Sequence, residues 1–296
     1  MIMDKLAEAV AARGPVCVGL DTSPEYLPPS FGAGFEDPAE AVFQFNRRIV
    51  DATAQLCACY KLQIAYYEAL GLSGMRAYAW TLQYVRAKDR LAIADVKRGD
   101  IAATAGMYAA AHFSGDFEAD FVTLSPYMGM DSIEPWLPWV REHDKGLFVL
   151  IRTSNPGATD IQYLEGQSGE RVYTQVARRV ADLGLPFVGE QGFSGVGGVV
   201  GCTHAEEARD LRALLSHTFF LVPGYGAQGG TARDTVPYFE NGNGAVVNAS
   251  RSILLAWRSD ARHDEEWRAA HFEECAAAEA QRMRDDIREA LSREDT

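Results

Sequence analysis

The chain has 296 residues, 47% of them hydrophobic and 23% charged, which is enough to bury the core of one large globular domain. Its net charge of −13 argues against a nucleic-acid partner, because binding to a polyphosphate requires a basic surface. The sequence has no run of about 18 apolar residues, so no membrane-spanning helix is expected. The five cysteines, an odd number without metal-ligand spacing, indicate reduced thiols in a cytoplasmic protein.

Short apolar runs alternate with longer helical segments along most of the chain. In chain order, the predicted strands are 16–20, 57–63, 91–95, 119–124, 147–151, 196–201, 219–222 and 244–248. The predicted helices are 38–55, 73–88, 101–112, 132–143, 169–183 and 204–216, with less regular turns near 231–240 and 250–257. Eight such units fit an α/β fold, the closed (β/α)8 TIM barrel of about 250 residues. The alternative is an open doubly wound sheet, whose G-x-G-x-x-G fingerprint is absent after the first strand.

The two ends of the chain lie outside this alternation. Residues 1–14 predict a short amphipathic helix that ends at Gly14. Residues 258–296 are rich in Glu, Arg and Ala and predict an appended helix. The sequence therefore divides into a (β/α)8 barrel domain over 1–257 and a C-terminal helical extension over 258–296.

Charged residues stand at the ends of two neighbouring predicted strands, where a barrel of this class carries its active site. Lys61, Asp95 and Lys97 lie on or at the tip of apolar runs, where an unpaired buried charge would cost several kcal/mol. Residues two apart on a strand lie about 6.6 Å from each other and point to the same face. Asp95 and Lys97 are therefore expected to point into the same end of the barrel, its mouth. Lys61 on the neighbouring strand can reach the same place. The pattern fits either a structural ion-pair cluster or an array of charges that acts where substrate charge develops.

The glycine-rich segment LVPGYGAQGG, residues 221–230, predicts an anion site. Glycines let backbone N–H groups approach a phosphate, and the loops after strands 7 and 8 are the usual phosphate site of this fold. Gln228 would add a side-chain donor. Arg251, after strand 8, would supply a charge able to bind a phosphate through two hydrogen bonds.

The segment IADVKRGDIAAT, residues 93–104, resembles the orotidine 5′-monophosphate decarboxylase family, whose pattern is D-x-K-x-x-D-[IV]-x-x-T. The segments VGLDTSP, YKLQIAYYEALG, SPYMGMDS, RTSNPG and PGYGAQGG extend the resemblance to the divergent type 2 branch, over about residues 16–255. Sister sugar-phosphate enzymes share the D-x-K-x-x-D motif. Lys61 distinguishes this chain from them, because the sister decarboxylases carry an acid at that position.

The resemblance implies a metal-free, cofactor-free carboxy-lyase that converts orotidine monophosphate to uridine monophosphate, the last step of de novo pyrimidine synthesis. It also implies a homodimer with shared active sites at the subunit interface. The implied catalytic residues are Lys61, Asp95 and Lys97 of one subunit and Asp100 of the other.

The same resemblance implies the residues that bind substrate. Ile101 and Thr104 would accompany Asp100 from the partner, and Asp21 with Lys61 would hold the ribose hydroxyls. The remaining contacts would be Ser125 with Thr153 or Ser154 at the pyrimidine, and Gln228 with Arg251 at the phosphate. Gln63 stands where the family often has Asn, so its contact with ribose stays open.

Two other functions remain as alternatives. A sister sugar-phosphate aldolase or decarboxylase, dependent on Mg²⁺, would lose its activity in EDTA, and Lys61 argues against it. A non-catalytic nucleotide-binding protein would have no need for acids such as Asp95 and Asp100 near an anionic ligand.

Overall fold

The structure is a computed structural model that describes residues 1–202, 205–226 and 229–293. Eight parallel strands form a closed barrel in which each strand pairs with the next and β8 pairs with β1. This confirms the (β/α)8 prediction and all eight predicted strands. Their bounds are β1 Val16–Gly19, β2 Cys59–Gln63, β3 Leu91–Arg98, β4 Phe121–Leu124, β5 Gly146–Arg152, β6 Ser194–Val200, β7 Thr218–Pro223 and β8 Ala245–Ala249.

The longer helices lie outside the barrel or at its ends. They are α1 Ile2–Arg13, α2 Pro38–Thr53, α3 Gly71–Ala87, α4 Ala102–Phe113, α5 Leu137–Glu142, α6 Val172–Gly184, α7 Ala205–Leu214 and α8 Phe272–Ser292. Short helices cover Pro29–Gly32, Ile64–Glu68, Thr159–Gln162, Ala232–Thr235, Arg251–Leu254, Ala256–Ser259 and Glu265–Ala270. None of the described helices is both long and apolar enough to cross a membrane.

The helix predicted over 132–143 is shorter in the structure. Two 3₁₀ turns, Met130–Ser132 and Glu134–Trp136, precede α5. Pro135 and Pro138 explain the break, because proline lacks the N–H that a continuous helix needs and is tolerated only in the first turn.

The predicted C-terminal helix is α8, and it packs onto the outer ring of the barrel beside α2. Phe272 stacks on Phe45 with ring centroids 4.5 Å apart, and Glu273 pairs with Arg48. Cys275 and Met283 of α8 are buried in the main core cluster of the barrel. The last helix therefore fills the outer position that follows β8.

Helix α1 ends at Gly14, where φ is +91°, as the sequence predicts. Its Ile2 and Leu6 are buried in the same cluster as Phe121 and Phe148, whose rings lie 5.4 Å apart inside the barrel. This packing closes the end of the barrel that carries the strand N-termini. The strand C-termini therefore form the open end.

All five cysteines are buried and unpaired. Burial raises the pKa of Cys57 to about 12 and those of Cys202 and Cys275 to about 11, because desolvation disfavours the thiolate. These thiols stay protonated at neutral pH and pack as small apolar groups.

Candidate active site

Four charged side chains form a continuous chain of ion pairs at the open end of β1, β2 and β3. Asp21 Oδ1 lies 2.9 Å from Lys61 Nζ, and the same Nζ lies 3.1 Å from Asp95 Oδ2. Asp95 Oδ1 lies 2.6 Å from Lys97 Nζ. The structure thus brings together the charges that the sequence predicted to share one mouth, in an order that alternates in sign.

The interior members of this chain are charged despite their burial. Burial alone would lower the pKa of Lys61, but Asp21 and Asp95 outweigh it and raise that pKa. Burial alone would raise the pKa of Asp95, but Lys61 and Lys97 lower it to about 2. The side chain of Lys97 is 46% exposed, the largest exposed fraction of the four.

A β-bulge in β3 sets the positions of Asp95 and Lys97. Ala94 pairs with Val122 and Arg98 pairs with Leu124, so three residues of β3 lie opposite one residue of β4. Lys97 has a φ of +45°, which is uncommon for a residue other than glycine. The sequence pattern predicted a regular strand end here. The two side chains do share the mouth, but within a bulged strand.

Neutral donors complete the contacts of the two acids. The Gln63 backbone N–H donates to Asp21 at 3.1 Å, and its side-chain Nε2 donates to Asp95 Oδ2 at 3.0 Å. Ser250 donates to Asp21 Oδ2 at 2.7 Å, and a Cβ at Gly19 would lie 1.9 Å from the Ser250 oxygen. The sequence analysis did not single out Ser250, because a serine after a strand carries no distinctive signal.

A cavity of about 430 Å³ opens on this ion-pair chain. Asp21, Lys61 and Asp95 line it together with Arg251, as the order of strand ends predicted. Its other lining residues are Tyr26, Tyr66, Pro223, Gly224, Tyr225, Asn248, Ala249 and Ser250. Gln228 of the glycine-rich loop lies outside the described residues. Within the described ranges, no three His, Cys, Asp or Glu side chains converge as a metal ion would require.

The predicted pyrimidine contacts lie at the ends of β4 and β5. Ser125 and Thr153 line a second cavity, of about 720 Å³, which extends to α6. The Thr153 hydroxyl donates to Asn155 Oδ1 at 2.7 Å and accepts from Gln162 Nε2 at 2.8 Å. Ser154 faces the end of β6, where a Cβ on Gly201 would lie 2.8 Å from the Ser154 Cβ. The structure therefore does not bring these three residues into the lining of the first cavity.

Asp100 and Ile101 directly precede α4, Thr104 lies in its first turn, and none of the three lines the cavity on the ion-pair chain. The Asp100 carboxylate accepts from the Ile101 N–H at 2.8 Å and makes no ion pair with a described residue. Ile101 and Thr104 are exposed. Two large apolar side chains, Met107 on α4 and Tyr127 after β4, are 71% and 79% exposed.

A second buried ion pair, not predicted from the sequence, lies at the end of β5. Arg152 is 1% exposed, and its Nε lies 2.8 Å from Glu207 Oε2. The Tyr163 hydroxyl accepts from Arg152 at 3.0 Å, and the Arg171 guanidinium lies over the Tyr163 ring at 4.2 Å. The predicted strand ended at residue 151, and a single Arg after an apolar run was the only available signal.

Comparisons with known proteins agree with one another. Residues 14–262 match the sequence profile of the family described as Orotidine 5′-phosphate decarboxylase / HUMPS. The chain is similar to orotidine 5′-phosphate decarboxylases of Clostridium perfringens, at 57% identity, and Clostridium acetobutylicum, at 53%. Each match covers 98% of this chain and at least 99% of the relative. The solved structure of Leishmania donovani OMP decarboxylase superposes with a TM-score of 0.70 at 31% identity, over 94% of this chain and 98% of that one.

Proposed function

The chain belongs to the orotidine 5′-phosphate decarboxylase / HUMPS family, and we propose that it converts orotidine 5′-monophosphate to uridine 5′-monophosphate and CO₂ by protonation from Lys97. This activity makes the chain a carboxy-lyase. The observation that carries the proposal is the alternating series Asp21–Lys61–Asp95–Lys97, whose first three members line a cavity and whose last member is a half-exposed cation.

The proposed reaction breaks the bond between C6 of the pyrimidine ring and its carboxylate carbon. CO₂ leaves, and the electron pair of that bond stays on C6. A cation already fixed beside C6 stabilises this negative charge without the free-energy cost of reorganising solvent. Lys97 Nζ then transfers a proton to C6. Water returns a proton to the Lys97 amine, which 46% exposure of the side chain permits.

Asp95 has two roles in this proposal. Its carboxylate lies 2.6 Å from Lys97 Nζ and holds that amine in position beside the substrate. Its pKa of about 2 keeps it ionised at neutral pH, so it also repels the carboxylate of the substrate. This repulsion raises the energy of the ground state, and binding at the remote phosphate offsets it.

Arg251 and the loop after β7 are the proposed phosphate site. Gly224 and Tyr225 line the same cavity as Arg251, Lys61 and Asp95. Asp21 and Lys61 lie between the phosphate side and Lys97, a position suited to the ribose hydroxyls. Gln228, Ser125, Thr153 and Ser154 stay proposed contacts of the phosphate and the pyrimidine.

We also propose a homodimer in which Asp100, Ile101 and Thr104 complete the site of the partner. The Asp100 carboxylate makes no ion pair among the described residues of its own chain, and the exposed apolar residues Ile101 and Met107 follow it in sequence. A second subunit would bury that apolar surface and supply Lys97 with another acid. The reduced state of the cysteines supports a cytoplasmic location for this step of pyrimidine synthesis.

The direct test is to mix purified protein with orotidine 5′-monophosphate and follow the loss of orotate absorbance in the ultraviolet. We expect equal rates with and without EDTA. No absorbance loss would contradict the proposal. Activity that EDTA abolishes would favour a metal-dependent sugar-phosphate enzyme of the same barrel group.

A further inference from the structure

We propose that Thr123 on β4 is a positioning residue, which holds Asp95 and Lys97 in register with each other through a single hydroxyl. The inference rests on the proposed function, since it concerns the geometry of the same two charges. Thr123 is 1% exposed, so no solvent competes for its hydroxyl.

The Thr123 hydroxyl uses all of its hydrogen-bonding capacity within the site. It accepts from the backbone N–H of Val96 at 3.0 Å and from that of Lys97 at 2.9 Å. It donates to Asp95 Oδ1 at 2.8 Å. A hydroxyl has one proton and two lone pairs. Because the two N–H groups occupy both lone pairs, its proton can only point to Asp95.

The bulge explains why a side chain is needed at this place. Thr123 is the residue of β4 that faces the three residues Asp95, Val96 and Lys97 of β3. A bulge interrupts the regular ladder, so the N–H groups of Val96 and Lys97 find no carbonyl partner in register. Buried N–H groups require acceptors, and the Thr123 oxygen serves both. It thereby supports the backbone of Lys97 at its unusual φ of +45°.

The same oxygen fixes the plane of the Asp95 carboxylate. Oδ1 receives hydrogen bonds from Thr123 and Lys97, and Oδ2 faces Gln63 and Lys61. Among these four partners, Thr123 alone also contacts the backbone of Lys97. Its hydroxyl therefore couples the orientation of the acid to the position of the proton donor. Loss of this coupling would displace Lys97 from C6 and leave the phosphate contacts intact.

The test compares Thr123→Val, which keeps the shape and removes the hydroxyl, with Thr123→Ser, which keeps the hydroxyl. We expect Thr123→Val to lower kcat by about tenfold or more, the rate factor that corresponds to the free energy of one hydrogen bond to a charged group. KM should change by less than about threefold, because the loss falls on the transition state. Thr123→Ser should retain kcat within about threefold of wild type.

Thr53→Val is the matched control for the loss of a buried hydroxyl. Thr53 is buried, donates to the Ile49 carbonyl at 2.7 Å and contacts the Tyr60 hydroxyl at 2.8 Å, outside the site. We expect it to lower thermal stability without changing kcat. If Thr123→Val does not fold, Thr123→Ala against Thr123→Ser isolates the same hydroxyl, since both lack the methyl group.

A wild-type kcat in Thr123→Val, a loss confined to KM, or equal losses in the Ser and Ala variants would overturn the inference. Lys97→Ala, measured in parallel, separates this failure from that of the proposed function. If Lys97→Ala stays active, the proposed function is wrong. If Lys97→Ala is inactive and Thr123→Val is normal, only the role of Thr123 is wrong.

Discussion

Two buried ion-pair clusters stand at strand ends in this barrel, and they differ in whether they line a cavity. The mouth cluster consists of Asp21, Lys61, Asp95 and Lys97, and the β5 cluster consists of Arg152, Glu207, Tyr163 and Arg171. In both, a cation that is almost completely buried lies within hydrogen-bonding distance of an acid. Burial and pairing alone therefore do not distinguish a catalytic cluster from a structural one.

The difference lies in what each cluster faces. Asp21, Lys61 and Asp95 of the mouth cluster line the cavity of about 430 Å³. The outer cation of the β5 cluster, Arg171, is 44% exposed, much like Lys97 at 46%, but it lies over the Tyr163 ring, and the β5 cluster lines neither the 430 Å³ nor the 720 Å³ cavity. An array of charges can act on a substrate only where it lines the space that the substrate enters. The mouth cluster should therefore govern activity, and the β5 cluster should govern stability.

The largest effect is expected for Lys97→Ala. General acid catalysis contributes about 10²–10⁴-fold, and the lost stabilisation of C6 adds to that. Because Lys97 is half exposed, the melting temperature should change little. The ultraviolet assay and thermal unfolding measure the two quantities. Retention of more than about a tenth of wild-type activity would remove Lys97 from its proposed role.

Asp100→Ala should also inactivate the enzyme, but through the other subunit. When inactive Lys97→Ala and inactive Asp100→Ala proteins exchange subunits, a heterodimer carries one site with both lesions and one with neither. Activity should therefore return on mixing. If it does not return although exchange is demonstrated independently, the mouth cluster is complete within one chain.

Arg251→Ala should have an intermediate effect. A hydrogen bond to a charged group contributes about 1.5–3 kcal/mol, so kcat/KM should fall by at least about tenfold to a hundredfold. The nucleoside orotidine, which lacks the phosphate, is the control substrate. Wild type and Arg251→Ala should process it equally poorly. An equal loss on orotidine and on its phosphate would mean that Arg251 supports the barrel instead.

The smallest effect on activity is expected for Glu207→Gln in the β5 cluster. Removing one partner of a buried ion pair costs about 3–5 kcal/mol, so the melting temperature should fall by roughly 10 °C. At temperatures where the variant is folded, kcat should stay within about threefold of wild type. A large loss of kcat with an unchanged melting temperature would contradict the prediction that the β5 cluster governs stability and not activity.

Most of the fold could be predicted from the sequence, because apolar runs of four to seven residues alternate with helical segments. The mouth cluster could be placed for a related reason. Parallel strands bring their C-termini to one end, so the order of the strands gathers Asp21, Lys61 and Asp95 without knowledge of any contact.

The bulge could not be predicted in this way. Asp95, Val96 and Lys97 fit the polar–apolar alternation of a regular strand. The residue that stabilises the irregular backbone, Thr123, belongs to the next strand. Arg152 was missed because its acid, Glu207, lies 55 residues further along the chain. Contacts between segments distant in sequence determine both the bulge and the Arg152–Glu207 ion pair. Local sequence patterns do not predict such contacts.

The burial of all five cysteines has a practical consequence for spectroscopy. Thiol-reactive dyes attack the thiolate at accessible sites, so the folded chain offers them little native background. A cysteine introduced at the exposed Ala12, on α1 at the closed end of the barrel, would carry one fluorophore far from the mouth. Donor-labelled and acceptor-labelled batches would then report subunit exchange by energy transfer. That measurement supplies the independent record of exchange on which the mixing of Lys97→Ala and Asp100→Ala depends.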